Sequence, residues 1–196
     1  MINRILFILL AVSFFSCEKN QYEKGNEFFA ANDYENAISS YSSYLSTHPK
    51  HIKSLYNRGR AYEETDKLEL AVEDYKMASD IEPRDMTFVF SLGIVHFKLE
   101  QYSQVVLDMN RVLKIHPNNA DAHSLKGRAQ IKQGLVKDAL KSYDLALTHD
   151  KNHEKTYLYR GMLKILTKQS GGCADLKKAL SLGEENAQEY IDKHCK

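Results

Sequence analysis

Glycine recurs at Gly25, Gly59, Gly93, Gly127 and Gly161, each 34 residues after the last. The only prolines, Pro49, Pro83 and Pro117, keep the same period. So do Ala37, Ala71 and Ala139, with Val105 in the remaining slot, and Tyr41, Tyr75 and Tyr143, with Met109 in theirs. A fixed period of this length means that the chain builds one supersecondary unit again and again. Such a unit cannot bury its apolar face alone, so neighbouring units must stack. Turn-like pairs at Asn32-Asp33, Thr65-Asp66, Glu100-Gln101 and Gln133-Gly134 split each period into two helix-length halves, and no segment reads as a strand.

The pattern resembles the tetratricopeptide repeat. Its second copy, "IKSLYNRGRAYEETDKLELAVEDYKMASDIEPRD", puts Leu55, Gly59, Tyr62, Ala71, Tyr75, Ala78 and Pro83 in the family's slots. Gly59 and Ala71 are small where the two helices of a repeat cross, Tyr75 fills the wider gap beside them, and Ala78 lets the next repeat dock. Pro83 cannot continue a helix and suits the start of another. The expected fold is an all-α, right-handed solenoid of five repeats, at about residues 18–51, 52–85, 86–119, 120–153 and 154–183, with a capping helix at 184–195. The predicted helix pairs are Lys19–Ala31 and Tyr34–Thr47, Ile52–Thr65 and Leu68–Ile81, Met86–Leu99 and Tyr102–Ile115, Ala120–Gln133 and Val136–His149, and Glu154–Thr167 and Cys173–Leu182. A last helix is expected over Glu184–His194. Repeat five departs from the pattern in its glycine-rich "KQSGG" and in being one residue short between Gly161 and Ala179.

The N-terminus falls outside the period. Met1–Arg4 is a short positive stretch, and Ile5–Phe15 is apolar apart from Ser13. A membrane span needs ~20 apolar residues, so this run has signal-peptide dimensions instead. It ends in Ser16-Cys17, which resembles a bacterial lipobox, although Phe14 stands where that motif usually has Leu. The resemblance implies a lipoprotein signal peptide over residues 1–16, acylation of Cys17, and a repeat domain over residues 17–196. An ordinary signal peptide with a chance cysteine and a retained anchor are the other readings.

Cys173 and Cys195 lie 22 residues apart. At 1.5 Å per residue, the last helix of repeat five and the capping helix have nearly equal lengths. An antiparallel pair brings their far ends together, and an exported protein meets an oxidising compartment. A disulfide between them is expected, against the alternative of two buried free thiols.

Lysine and arginine number 27 against 26 aspartates and glutamates, for a net charge of +1. That balance gives no electrostatic footprint for nucleic acid and no polybasic block for anionic lipid. Eight histidines are spread over different repeat junctions, with His48 and His116 at one phase and His149 and His153 flanking a loop. They form no ligand set, and no phosphate-binding glycine loop follows a strand. Acidic residues at helical spacing from lysines read as solvated charge. No cofactor, metal, catalytic residue or small-molecule substrate is expected.

The resemblance implies function in a concave groove lined by the first helix of each repeat, where a protein or peptide partner lies. Carried over residue by residue, the groove positions are Tyr22, Asn26, Phe29, Tyr56, Asn57, Arg60, Phe90, Phe97, Lys98 and Arg128. Aromatic anchors and arginines that pair with partner carboxylates suit such a surface. Ile131, Ile165 and Leu166 share the same positions, with packing between repeats as their other reading. Asn26 and Asn57 match the asparagines of a chaperone-binding clamp, but Tyr22, Thr87 and Ser91 stand where that clamp has cations. The expected function is a membrane-anchored, non-enzymatic adaptor or scaffold in envelope assembly, secretion or protease recruitment. Its expected place is the outer membrane of a Gram-negative bacterium, facing the periplasm. An accessory subunit of an envelope enzyme, a weak thiol- or histidine-dependent enzyme, and a structural spacer are the alternatives.

Overall fold

The computed structural model describes residues 21–195, and every regular element in them is a helix. The expected signal peptide, Cys17 and the start of the first helix lie outside these residues. In chain order the helices are α1 (residues 21–30), α2 (Tyr34–Thr47), α3 (Ile52–Glu64), α4 (Leu68–Ile81), α5 (Met86–Lys98), α6 (Tyr102–Ile115), α7 (Ala120–Lys132), α8 (Val136–His149), α9 (Glu154–Leu166), α10 (Gly172–Ser181) and α11 (Ala187–His194). Odd-numbered helices up to α9 open a repeat and even-numbered ones close it. The last helix is shorter than expected: residues 184–186 form a turn before it. The chain divides into two compact units, one ending at Val95 and the other beginning at His96.

Each hairpin turns through one residue in the left-handed region: Asn32, Asp66, Glu100, Gly134 and Lys168, with φ of 59°, 57°, 58°, 77° and 56°. These again lie one period apart. The next amide reaches back to close the helix end, as in Asp33 N–H to Phe28 O (2.9 Å), Lys67 N–H to Tyr62 O (2.8 Å) and Leu135 N–H to Gln130 O (2.9 Å). Glycine occupies this position once, so hydrogen bonding rather than composition sets the turn.

The small residue of each repeat has a specific cause. A β-carbon on Gly59 would stand 2.6 Å from Tyr75 Cε1, and one on Gly127 would stand 2.6 Å from Tyr143 Cε1. The tyrosine of the closing helix lies flat on the glycine of the opening one, and Tyr41 does the same over Gly25. Sequence reasoning placed the tyrosine beside the crossing, whereas it is the surface that requires the glycine. Repeat five solves the contact differently. Leu176 takes the tyrosine's place, and Gly172 takes that of the alanine. A β-carbon on Gly172 would lie 3.0 Å from Gly161 O. The shortened, glycine-rich connector thus reflects a closer helix crossing.

Each hairpin from the second repeat on is also fastened by one buried polar pair. Arg58 grips Asp74 with Nε–Oδ2 at 2.8 Å and Nη2–Oδ1 at 2.7 Å. His96 Nδ1 lies 2.6 Å from Asp108 Oδ2, Ser142 Oγ donates to Gln130 Oε1 at 2.7 Å, and Arg160 repeats the two-point grip on Asp175. Asp74, Asp108 and Asp175 are buried, unlike the solvated acidic residues that the sequence pattern describes in general. Inter-repeat packing follows the expected docking: Ala78 shares an apolar cluster with Leu45, Leu55 and Phe88.

Cys173 and Cys195 are joined in a disulfide, with Cα atoms 5.6 Å apart. It ties the start of α10 to the end of α11, which otherwise packs through Ala187, Tyr190 and Ile191 against Leu158, Leu176 and Ala179.

Candidate functional site

The expected groove residues separate into two kinds. Several are committed to holding the fold. Asn26 Oδ1 accepts from Tyr41 Oη at 2.8 Å and from Asn57 Nδ2 at 3.1 Å, so both asparagines serve an internal network. Burial pushes the Tyr41 phenol up to about 12. The Tyr22 ring lies 4.9 Å from that of His51 and 5.7 Å from that of Tyr44. Tyr56 packs on Phe88 at 5.6 Å and on Tyr75 at 5.7 Å. Phe90 is half-buried and Lys98 exposed on α5.

The second kind is the stacked arginine. Arg60 lies over Phe29, its guanidinium carbon 4.6 Å from the ring centroid, and 5.9 Å from that of Tyr56. Arg128 lies between Phe97 and Tyr159, at 4.4 and 4.9 Å. Stacking holds a guanidinium in place through its faces and leaves the N–H edge available. Neither Arg60 nor Arg128 has a hydrogen-bond acceptor or ion-pair partner among the described residues. The contrast lies two residues away on the same helix: Arg58 spends its N–H groups on Asp74 and on Ser42 Oγ, at 3.0 Å. Burial of the partner aspartate, not the arginine's own sequence neighbours, decides which guanidinium is structural.

In the second unit Arg128 borders a cleft of about 570 Å³. Its walls are Phe97, Ile131, Tyr143, Tyr159, Met162, Leu163, Ile165, Leu166, Tyr190 and His194, and its cations are Arg128 and Lys132. Ile131, Ile165 and Leu166 therefore line a cleft, and Leu166 is 78% exposed, so packing between repeats does not account for it. Sequence reasoning missed Tyr159, Tyr143 and Tyr190. Tyr143 was visible as the repeat's aromatic slot but was assigned to the core alone. Tyr190 reaches the cleft from α11, whose packing no repeat pattern describes.

Two of the histidines hold helix ends. Nδ1 of His51 accepts from Ser54 N–H at 3.2 Å, and Nδ1 of His153 accepts from Thr156 N–H at 3.3 Å. Both act as N-caps, each with a hydroxyl residue three positions on that a sequence reader could have noticed. Burial and the neighbouring His48 and Lys53 lower the His51 pKa, whereas the Asp121 carboxylate raises that of His153. No group of side chains able to hold a metal ion occurs among the described residues.

The sequence profile of the family described as "Tetratricopeptide repeat" matches residues 22–85 and 90–154. The chain belongs to the tetratricopeptide repeat family. Serine/threonine-protein phosphatase 5 of Rattus norvegicus is 27% identical to this TPR chain over 129 residues, 66% of this chain and 25% of that protein. The chain spans about a quarter to a third of the length of the curated relatives it matches first. Among solved structures, MamA from Desulfovibrio magneticus RS-1 (residues 41 to the end) is similar at a TM-score of 0.77 and 16% identity, covering 86% of this chain and 96% of that one. YrrB, described as a TPR protein with an unusual peptide-binding site, is similar at a TM-score of 0.70 and 18% identity, covering 88% of this chain and 90% of that one. These likenesses bear out the fold class read from the 34-residue period.

Proposed function

We propose that this TPR chain is a non-enzymatic adaptor that takes a protein or peptide partner through its stacked arginines, Arg60 in the first unit and Arg128 in the second. The observation that carries this reading is the pair of stacked guanidiniums without carboxylate partners, whereas Arg58 and Arg160, two positions earlier in the repeat, have them. A partner carboxylate would complete each stacked arginine through charge-assisted hydrogen bonds, and Phe29 and Phe97 would contribute flat apolar contact. YrrB, whose described peptide-binding site belongs to that protein, supports the reading to the extent that one fold can host such a site.

The same proposal places the chain in the cell envelope, held to a membrane through an acyl group on Cys17 and facing the periplasm, in assembly, secretion or protease recruitment. The short apolar run ending in Ser16-Cys17 supports it, as does a disulfide, which suits an oxidising compartment. No helix among the described residues is long and apolar enough to cross a membrane. Crosslinking in cells followed by identification of the captured protein tests the adaptor role. The partner taken by the wild type should be lost from the Arg60→Glu, Arg128→Glu variant, and undiminished capture would refute the groove assignment. Cys17→Ala should abolish both membrane fractionation and palmitate labelling; retention of both would remove the anchor.

A further inference from the structure

The cleft of the second unit has a chemistry of its own. Its volume, about 570 Å³, falls within the ~300–1,000 Å³ typical of small-molecule sites. Two cationic side chains, Arg128 and Lys132, and no carboxylate face it. Tyr143, only 2% exposed, also lines it, and its hydroxyl has no hydrogen-bond partner among the described residues. This is a departure from its repeat equivalents. Tyr41 donates to Asn26 and Tyr75 donates to Glu63 at 2.6 Å. In repeat four the residue matching Glu63 is Ile131, so the hydroxyl is left beside Arg128. No buried side-chain polar atom among the described residues lacks a partner, so this hydroxyl is the part of Tyr143 that reaches solvent in the cleft, where a ligand oxygen can accept from it.

The wall also selects against a peptide main chain. Every peptide unit brings an N–H group that needs an acceptor. Arg128 and Lys132 donate only, which leaves the N–H groups of a peptide with phenolic oxygens and His194. An apolar chain carries no such groups, and a carboxylate accepts only. A cleft lined by the donors Arg128 and Lys132 and by the apolar Met162, Ile165 and Leu166 thus matches an acceptor-only head on an apolar tail.

We infer that this cleft binds a carboxylate-bearing amphiphile of the fatty-acid class, with the carboxylate on Arg128 and the Tyr143 hydroxyl and the alkyl chain along Met162, Ile165 and Leu166. This goes against the expectation that no small molecule is bound, and it gives Arg128 a ligand other than the partner carboxylate of the adaptor reading; Arg60, in the other unit, takes no part in it, so its failure leaves that reading in place.

Calorimetric titration of the full chain with dodecanoate tests it. One saturable site is expected. Arg128→Leu should weaken it about tenfold or more, as loss of a charge-assisted hydrogen bond implies. Tyr143→Phe should weaken it while leaving the circular dichroism spectrum unchanged. Leu166→Trp, at an exposed position that cannot disturb the core, should block the chain; this arm holds even if Arg128→Leu unfolds. Dodecanol should bind more weakly than dodecanoate. No saturable binding by the folded wild type, or binding indifferent to both Tyr143→Phe and Leu166→Trp, would overturn the inference. So would an apolar peptide that occupies the cleft and is not displaced by dodecanoate.

Discussion

Replacing Arg58 by methionine separates structural from available arginines. The Asp74 carboxylate is 2% exposed, and Arg58 supplies the two hydrogen bonds that neutralise it. Removing one partner of a buried pair leaves the other uncompensated, at about 3–5 kcal/mol. For a chain of this length 1 kcal/mol shifts the midpoint by ~2–4 °C, so thermal denaturation followed by circular dichroism should fall by ~6–20 °C. Arg60→Met, two residues along the same helix, removes only stacking on Phe29 and Tyr56 and should cost about 1 kcal/mol or less. The pH dependence supplies a second reading. Burial pushes the Asp74 carboxyl up, and in Arg58→Met no guanidinium opposes it. A carboxyl whose folded pKa is raised contributes fully below its unfolded pKa of ~3.9 and loses that contribution as pH rises through the folded one. The deficit of Arg58→Met should therefore be small near pH 4 and widen toward pH 8. Pairing the substitution with Asp74→Leu should recover most of the loss. The reasoning fails if Arg58→Met costs no more than Arg60→Met, or if its deficit does not change with pH.

Gly59→Ala drives a β-carbon into the buried Tyr75 ring and should cost about 1–3 kcal/mol by overpacking in urea titration, whereas Glu100→Gly relieves a left-handed residue (φ 58°) and should stabilise by up to about 1 kcal/mol. The folded pKa of His51 lies below the unfolded ~6.5 because of burial and neighbouring cations. Its contribution is present above pH ~6.5 and is lost as pH falls through the folded value. His51→Asn keeps a cap acceptor and should flatten the melting temperature on the acid side. Reduction of Cys173–Cys195 should cost about 2–4 kcal/mol and speed hydrogen exchange in α11 ahead of the other helices. Two free thiols in the mass of the untreated native protein would show that the bond does not form.

The period alone determined most of this protein. Glycine, alanine, tyrosine and proline at a constant spacing specify local conformation and the small-against-large contact inside each hairpin, and these depend on residues close in sequence. Helix ends came out within a few residues because the capping turns recur with the same period. What the tertiary structure decided is which of two chemically identical groups does what. Arg58 and Arg60 share a helix and a charge, yet one faces a buried aspartate from α4 and the other lies on Phe29 from α1. Nothing in the sequence marks Asp74 as buried, because its burial comes from a helix crossing, not from its neighbours in the chain. Tyr143 looked like its equivalents until the residue facing its hydroxyl proved to be Ile131. Gly172 is explained only by the backbone of Gly161 opposite. Sequence periodicity reports which face a residue occupies; its partners on that face depend on the side chains that neighbouring helices bring to it.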